Sequence, residues 1–267
     1  MTIVKGIPRT RQYVENLAAS GHYQFTSREV QSALGISAAA AKLALNRLGK
    51  QKLIASPARG FYVIVPSEYR SLGCLPGDQF IPALMNRLEL PYYVGLLSAA
   101  QYHGAAHHRP QEFQVFLDRK RRPIVCGMVR VGFLVRKRVR DVPVQSFNTP
   151  RGTVRVSTPE ATALDLVGYQ HQAGGLDLVA TVLSELAEKI NPETLSAAAA
   201  TAPVSWAQRL GYLLQRVGAG EKAASLKRYV REHADRSIPL LPKAAHKDAC
   251  RDADWKLYLN ADVEAEL

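Results

Sequence analysis

The sequence is poor in the features that mark secreted, membrane-spanning or catalytic proteins. Its three cysteines, Cys74, Cys126 and Cys250, are widely separated and odd in number, and none forms a CxxC pair. Neither a disulfide framework nor a zinc site is therefore expected. No stretch approaches the ~18–20 consecutive apolar residues that span a bilayer. Pro8, Arg9 and Arg11 break up the amino terminus, which has no apolar run of signal-peptide length. GxSxG, P-loop, GxGxxG and HExxH patterns are absent, so the commonest hydrolase, nucleotide-binding and metalloprotease signatures are excluded. Acidic residues are also scarce: 23 Asp and Glu face 35 Lys and Arg, for a net charge of +12. The composition predicts a soluble, reduced, cytoplasmic protein with an affinity for polyanions and no membrane contact.

What is present is ordinary in amount and uneven in placement. An apolar fraction of 47% over 267 residues is enough to bury a core in one domain or two. The positive charge sits in two blocks, +7 over residues 1–70 and +8 over residues 109–140, while the rest is close to neutral. Such blocks read as a localised electrostatic footprint.

The first block has an order of parts that can be read residue by residue. Helical spacing of Val14, Leu17 and Ala18 predicts a helix over Pro8–Ala19. Thr26 and Glu29 have capping-box spacing ahead of a short helix carrying Val30, Ala33 and Leu34. Gly35 suits a left-handed helix end, and Ser37 can cap the next helix, over Ala38–Lys50. In that helix Ala41, Ala44, Leu45 and Leu48 share one face, with Ala39, Lys42, Leu43, Asn46 and Lys50 opposite. Two strand-like runs, Leu53–Ala55 and Phe61–Val65, then flank a loop carrying Arg59. Helix, tight turn, helix and hairpin make a winged helix-turn-helix, predicted to occupy residues 1–70. Its DNA-facing candidates are Ser37, Lys42, Asn46, Arg47, Lys50 and Arg59. Asn46 can pair with adenine, and the cations can reach guanine or phosphate.

Residues 71–267 read as a second, mixed α/β domain, making the whole α+β. Strands are predicted at Phe113–Leu117, Val129–Val135, Thr153–Val156 and Trp255–Leu259. Helices are predicted over Phe80–Glu89, from Tyr92 through Ala100, after Thr158-Pro159-Glu160 and Asn191-Pro192-Glu193, over Trp206–Val217 and over Glu221–Glu232. A second basic group, Arg119, Lys120, Arg121 and Arg122 with Arg136, Lys137 and Arg138, has the spacing of a hairpin with charged ends. It reads as a surface patch for nucleic acid or an acidic partner.

Candidate chemistry is thin. His103, His107 and His108 cluster without the further ligands a metal needs, so no metal is assigned. Asp118-Arg119-Lys120 lacks the second acidic residue of a metal-dependent nuclease. Glu160 is read as a helix-start residue and Asp165 as a surface charge. No catalytic residue and no cofactor is assigned, and the chain reads as a binding protein rather than an enzyme. A protein- or RNA-interaction module, with the winged helix as a scaffold, is the principal alternative to DNA binding.

Longer motifs in the second domain carry a family likeness. Tyr92-Tyr93-Val94-Gly95-Leu96-Leu97-Ser98-Ala99-Ala100-Gln101-Tyr102-His103-Gly104 follows the winged helix. Val154–Leu166, including Ser157-Thr158-Pro159-Glu160, and the closing Trp255–Asn260 with Val263-Glu264 complete the set. In these motifs and their order the chain resembles the AbiEi family of antitoxins and transcriptional regulators from type IV toxin–antitoxin systems. The resemblance implies that the winged helix binds inverted repeats in double-stranded DNA upstream of its own operon. It implies a carboxy-terminal domain that supports cooperative repression and counters a nucleotidyltransferase-like toxin without a stable complex. A monomer in solution that meets a second copy on DNA is compatible with this. On the second helix and the wing, the resemblance carries DNA contact to Lys42, Asn46, Arg47, Lys50 and Arg59.

Overall fold

The computed structural model describes residues 6–105 and 110–265. These divide into two compact units: Met1–Pro91 with Gln111–Val135 and Phe147–Val154, and Tyr92–Pro110 with Arg136–Ser146 and Arg155–Leu267. The fold is α+β, with the winged helix-turn-helix at the amino-terminal end.

The first unit opens with α1 (Gly6–Ala19), β1 (Gln24–Thr26), α2 (Ser27–Leu34), α3 (Ala38–Lys50), β2 (Ile54–Ala58) and β3 (Phe61–Ile64). The predicted capping box is formed: the Glu29 amide donates to the Thr26 hydroxyl at 3.2 Å, and the Thr26 amide to the Glu29 carboxylate at 2.6 Å. Gly35 ends α2 in the left-handed region, φ 60°, where a side chain would be strained. Two residues later the Ser37 hydroxyl accepts the Ala40 amide at 3.2 Å and starts α3. The short α2–α3 connection is thus fixed at both ends by local chemistry. Strand β3 lies between β1 and β2, antiparallel to both. Val14, Phe25, Val30, Ala41, Leu45, Leu48, Ile54 and Ile64 form one buried cluster beneath these elements.

The same unit continues with α4 (Gly77–Arg87), which spans most of the predicted Phe80–Glu89 helix. Next in the chain, β4 (Tyr92–Val94) and α5 (Leu96–Tyr102) belong to the second unit, and β5 (Phe113–Leu117), β6 (Ile124–Cys126) and β7 (Val129–Val135) to the first. Strand β7 pairs in parallel with β5 and antiparallel with β6. Gly127 turns the chain between β6 and β7 at φ 59°, where a Cβ would overlap the Leu72 carbonyl. The chain continues through β8 (Val144–Thr149) and β9 (Gly152–Ser157), and the 147–154 tip of this hairpin lies in the first unit. There Arg151 donates to Gln79 at 2.6 Å and to Glu68 at 3.3 Å, and its guanidinium lies 4.0 Å from the Tyr23 ring centroid. The fold also brings Cys74 and Cys126 into this unit as free, buried thiols that hydrogen-bond to each other.

One predicted element changes type. Tyr92-Tyr93-Val94, read as the start of a helix, is a strand, and the helix begins only at Leu96. All three residues are buried, and a short apolar run buried on every side has no period to distinguish strand from helix. In the second unit β4 and β9 are parallel neighbours, meeting at Val94 and Val156.

The rest of the second unit is α6 (Pro159–Gly168), α7 (Leu176–Leu186), α8 (Pro192–Ala199), α9 (Val204–Arg216), α10 (Ala224–His233) and a small sheet of β10 (Ile238–Pro239), β11 (Cys250–Asp252) and β12 (Leu257–Leu259). Thr158 and Asn191 cap α6 and α8, each with proline in the first turn, as their sequences predict. Every residue from Glu160 to Val167 is buried, so α6 is the core of this unit. The terminal strand is shorter than the predicted Trp255–Leu259, because Trp255 and Lys256 lie in the turn that joins β11 to β12, from which the Trp255 ring packs against Gly211 of α9. Its indole N–H donates to Gln215, and Gln208 donates to the Trp255 carbonyl at 3.2 Å.

A Cβ at residue 211 would overlap the Trp255 ring. Gly211→Ala is therefore expected to cost about 1–3 kcal/mol and to lower the melting temperature. An unchanged thermal melt would contradict this packing of the carboxy-terminal segment.

Candidate nucleic-acid interface

Helix α3 is divided lengthwise by burial. Ala41, Ala44, Leu45 and Leu48 are buried, whereas Ala38, Ala39, Ala40, Lys42, Leu43, Asn46, Arg47 and Lys50 are exposed. The helical period sets this division, since residues three and four apart share a face. Lys42, Asn46 and Lys50 thus rise along one exposed side, with Leu43 and Arg47 beside them. Ser37 has a different place: its hydroxyl is used by the helix cap, which positions the alanine-rich first turn. Three methyl side chains there leave the helix amino end open to close approach by an anion, toward which the helix dipole also points.

The wing presents Arg59 at a two-residue turn, followed by Gly60 at φ 69°. Arg59 is exposed. The Ser56 hydroxyl shares its proton between the carbonyls of Ala58 and Phe61, each at 3.1 Å, where β2 carries a bulge. The Ser27 amide donates to the Gly60 carbonyl at 3.3 Å, so the turn is tied to the start of α2. Arg59 therefore stands on a braced turn within the unit that carries α3. Together these side chains offer one amide able to bond a base edge in two places and four cations able to meet phosphate.

The second basic group is divided between the two units, and not all of its members are exposed. Arg119, Lys120 and Arg122 are exposed between β5 and β6, and Arg119 pairs with Asp118 at 2.8 Å. Arg121 is half-buried, its guanidinium 5.4 Å from the Phe133 ring centroid, and burial lowers its pKa. Lys137 and Arg138 are exposed in the second unit, with Arg138 bonded to Asp141 at 2.8 Å. Arg136 does not belong to any patch, because only 3% of its side chain is exposed.

Arg136 instead forms a buried ion pair with Asp165 of α6, whose side chain is fully buried. The surface role read for Asp165 is thereby corrected. Both charges also bond the Tyr93 hydroxyl of β4: Arg136 donates to it at 2.9 Å, and it donates to Asp165 at 2.9 Å. The guanidinium lies 5.2 Å from the Trp206 ring centroid. Burial pushes the Asp165 carboxyl up to about 7, against the attraction of Arg136 and the bond from Tyr93. On Arg136 burial works downward, but Asp165 and Tyr93 outweigh it and leave the guanidinium raised. A carboxylate inside the otherwise uncharged run Ala161–Val167 was the available sign, since a buried charge requires a partner. Nothing in the sequence named that partner.

Glu160 holds a helix start, but not only its own: its carboxylate accepts the Asn191 amide at 2.8 Å, ahead of α8. His103 is half-buried, with Nε2 2.8 Å from the Ser157 carbonyl, and burial lowers its pKa. His107 and His108 lie outside the described residues. Among the described residues no group of three His, Cys, Asp or Glu is placed to hold a metal, and no helix is long and apolar enough to cross a membrane.

Two family models match the chain: "Transcriptional regulator, AbiEi antitoxin" over residues 12–65 and "AbiEi antitoxin C-terminal domain" over residues 93–216. The first covers the winged helix, and the second runs from Tyr93 through α9. A crystal structure of the RV2827C protein from Mycobacterium tuberculosis is similar in fold, with a TM-score of 0.68 at 17% identity over 94% of this chain and 91% of that one. No curated protein matches the sequence.

The buried pair makes a separable claim about stability. Asp165→Ala leaves Arg136 buried without its counter-charge and is expected to cost about 3–5 kcal/mol. Replacing both partners, as Arg136→Met with Asp165→Leu, is expected to recover most of that loss in urea denaturation. A double variant no more stable than Asp165→Ala would show that the pair is not the main source of the cost.

Proposed function

The chain belongs to the AbiEi family of antitoxins and transcriptional regulators, and on that premise we propose that it is a cytoplasmic DNA-binding autorepressor, the antitoxin of a type IV toxin–antitoxin pair. The observation that supports this most directly is α3, with its apolar face locked in the core and Lys42, Asn46, Arg47 and Lys50 turned outward. Asn46 reads a base in the major groove, while Lys42, Arg47, Lys50 and the wing residue Arg59 neutralise phosphates. The target is double-stranded DNA with inverted repeats upstream of the chain's own operon. Each repeat takes one copy, and monomers from solution meet cooperatively on the DNA. The exposed cations Arg119, Lys120, Arg122, Lys137 and Arg138 add non-specific attraction. The chain itself catalyses no reaction, and it counters a nucleotidyltransferase-like toxin without remaining bound to it.

A gel shift on the duplex upstream of the chain's own gene, with excess unrelated duplex as competitor, tests the reading. Specific binding is expected to survive the competitor; a shift lost to it would leave only polyanion affinity. If Lys42, Arg47, Lys50 and Arg59 each neutralise one phosphate, a roughly fourfold rise in salt weakens binding on the order of a hundredfold per repeat. Lys50→Ala is expected to weaken specific and random duplex alike and to reduce the salt slope by about one. Asn46→Ala should cost roughly 1–3 kcal/mol on the specific site alone. Equal losses on both duplexes would remove Asn46 from base reading.

A further inference from the structure

The outward face of α3 carries a side chain that neither charge nor folding explains. Leu43 is 59% exposed, while the core positions of the helix are filled by Leu45 and Leu48, each 1% exposed. Helix geometry sets Leu43 in one stripe with Ala39 a turn before it and with Asn46 and Arg47 a turn after it. Lys42 and Lys50 stand on the same exposed side. An apolar centre ringed by cations is a poor match for an apolar protein surface, because interface cores are depleted of charge. It suits a polyanion that presents an apolar feature between two rows of phosphates.

Duplex DNA presents such a feature in the major groove. The C5-methyl of thymine is the apolar group displayed there, and it lies beside the donor and acceptor that an asparagine bonds on adenine. We propose that Leu43, with Ala39, reads thymine methyl groups, so that the operator carries thymine within each half-site, next to the adenine bonded by Asn46. The inference rests on the DNA-binding reading of α3 and adds the class of base that this helix selects. It also accounts for the alanine-rich first turn. Methyl-sized side chains at Ala38, Ala39 and Ala40 let the helix approach closely enough for apolar contact, at the cost of polar base contacts. Sequence preference then comes from methyl groups and one amide rather than from an array of arginines.

The test replaces thymines with deoxyuridine, one at a time and then all together, in the upstream duplex protected by the full-length protein. Deoxyuridine removes the methyl and leaves pairing unchanged. Wild-type protein is expected to bind about fourfold more weakly for each contacted methyl lost, the worth of one buried methyl. Leu43→Ala is expected to bind the thymine operator more weakly than wild type and to lose less on the replacement, keeping only the part owed to Ala39. Asn46→Ala keeps the sensitivity. Because Leu43 is more than half exposed, its variant retains the wild-type thermal melt. A wild-type protein that prefers the operator yet binds its all-uracil form equally well overturns this inference and leaves the DNA-binding reading intact. A Leu43→Ala variant as sensitive as wild type also overturns it. No preference for any upstream sequence overturns both readings together.

Discussion

The outward face of α3 is fixed by what lies behind it. Ala41, Ala44, Leu45 and Leu48 are buried with Val14, Phe25, Val30, Ile54 and Ile64. Rotating the helix by one residue would expose Leu48 and press Lys42 and Asn46 toward an apolar core. Burying an unpaired charge costs far more than burial of a methyl group returns. The presentation of Lys42, Leu43, Asn46, Arg47 and Lys50 therefore depends on packing, not on any contact these residues make themselves. The Thr26 and Ser37 caps and the left-handed Gly35 set where α2 stops and α3 starts. They convert a hydrophobic constraint into a defined outward surface.

The second unit shows the same economy with charge placed inside. Helix α6 is buried along nearly its whole length, and its Asp165 is held by Arg136 and Tyr93 from two other segments. A network of that kind adds little net stability over a well-packed apolar core. Its value here is in register, since Tyr93, Arg136 and Asp165 must all arrive for any of them to be satisfied. With side-chain exposures of 3% and 0%, the ion pair is closed to solvent and reads as architecture. Around it, Glu160 starts α8 and Trp255 seals the end of the chain against α9.

Much of the first unit was legible because its signals are local. Capping box, glycine turn, serine cap and a period of 3.6 each act over a few residues, and α3 has the predicted bounds Ala38–Lys50. The faces of α3 followed from the same period. What stayed hidden depends on distant partners. Tyr92-Tyr93-Val94 is a strand because β9 lies beside it, and nothing within the three residues says so. Arg136 sits among basic neighbours and so reads as surface, yet its carboxylate partner is 29 residues away. Helix α7 carries no local start signal: most of Leu176–Leu186 is buried, and it starts behind Gly174-Gly175 without a side-chain cap. Leu43 was visible on the outward face, but an exposed leucine acquires meaning only once Leu45 and Leu48 are seen to fill the core.

The most direct test of the central claim, that the outward face of α3 is the surface that meets DNA, is hydroxyl-radical footprinting of the side chains, read by mass spectrometry. Full-length protein is oxidised alone, with the duplex upstream of its gene, and with a scrambled duplex of equal length. Oxidation of Leu43 is expected to fall with the upstream duplex and much less with the scrambled one. Leu178 of α7, also exposed, is predicted to keep its reactivity throughout. Unchanged oxidation of Leu43 in a complex that protects other peptides would contradict the account and move the DNA-contacting surface elsewhere on the chain.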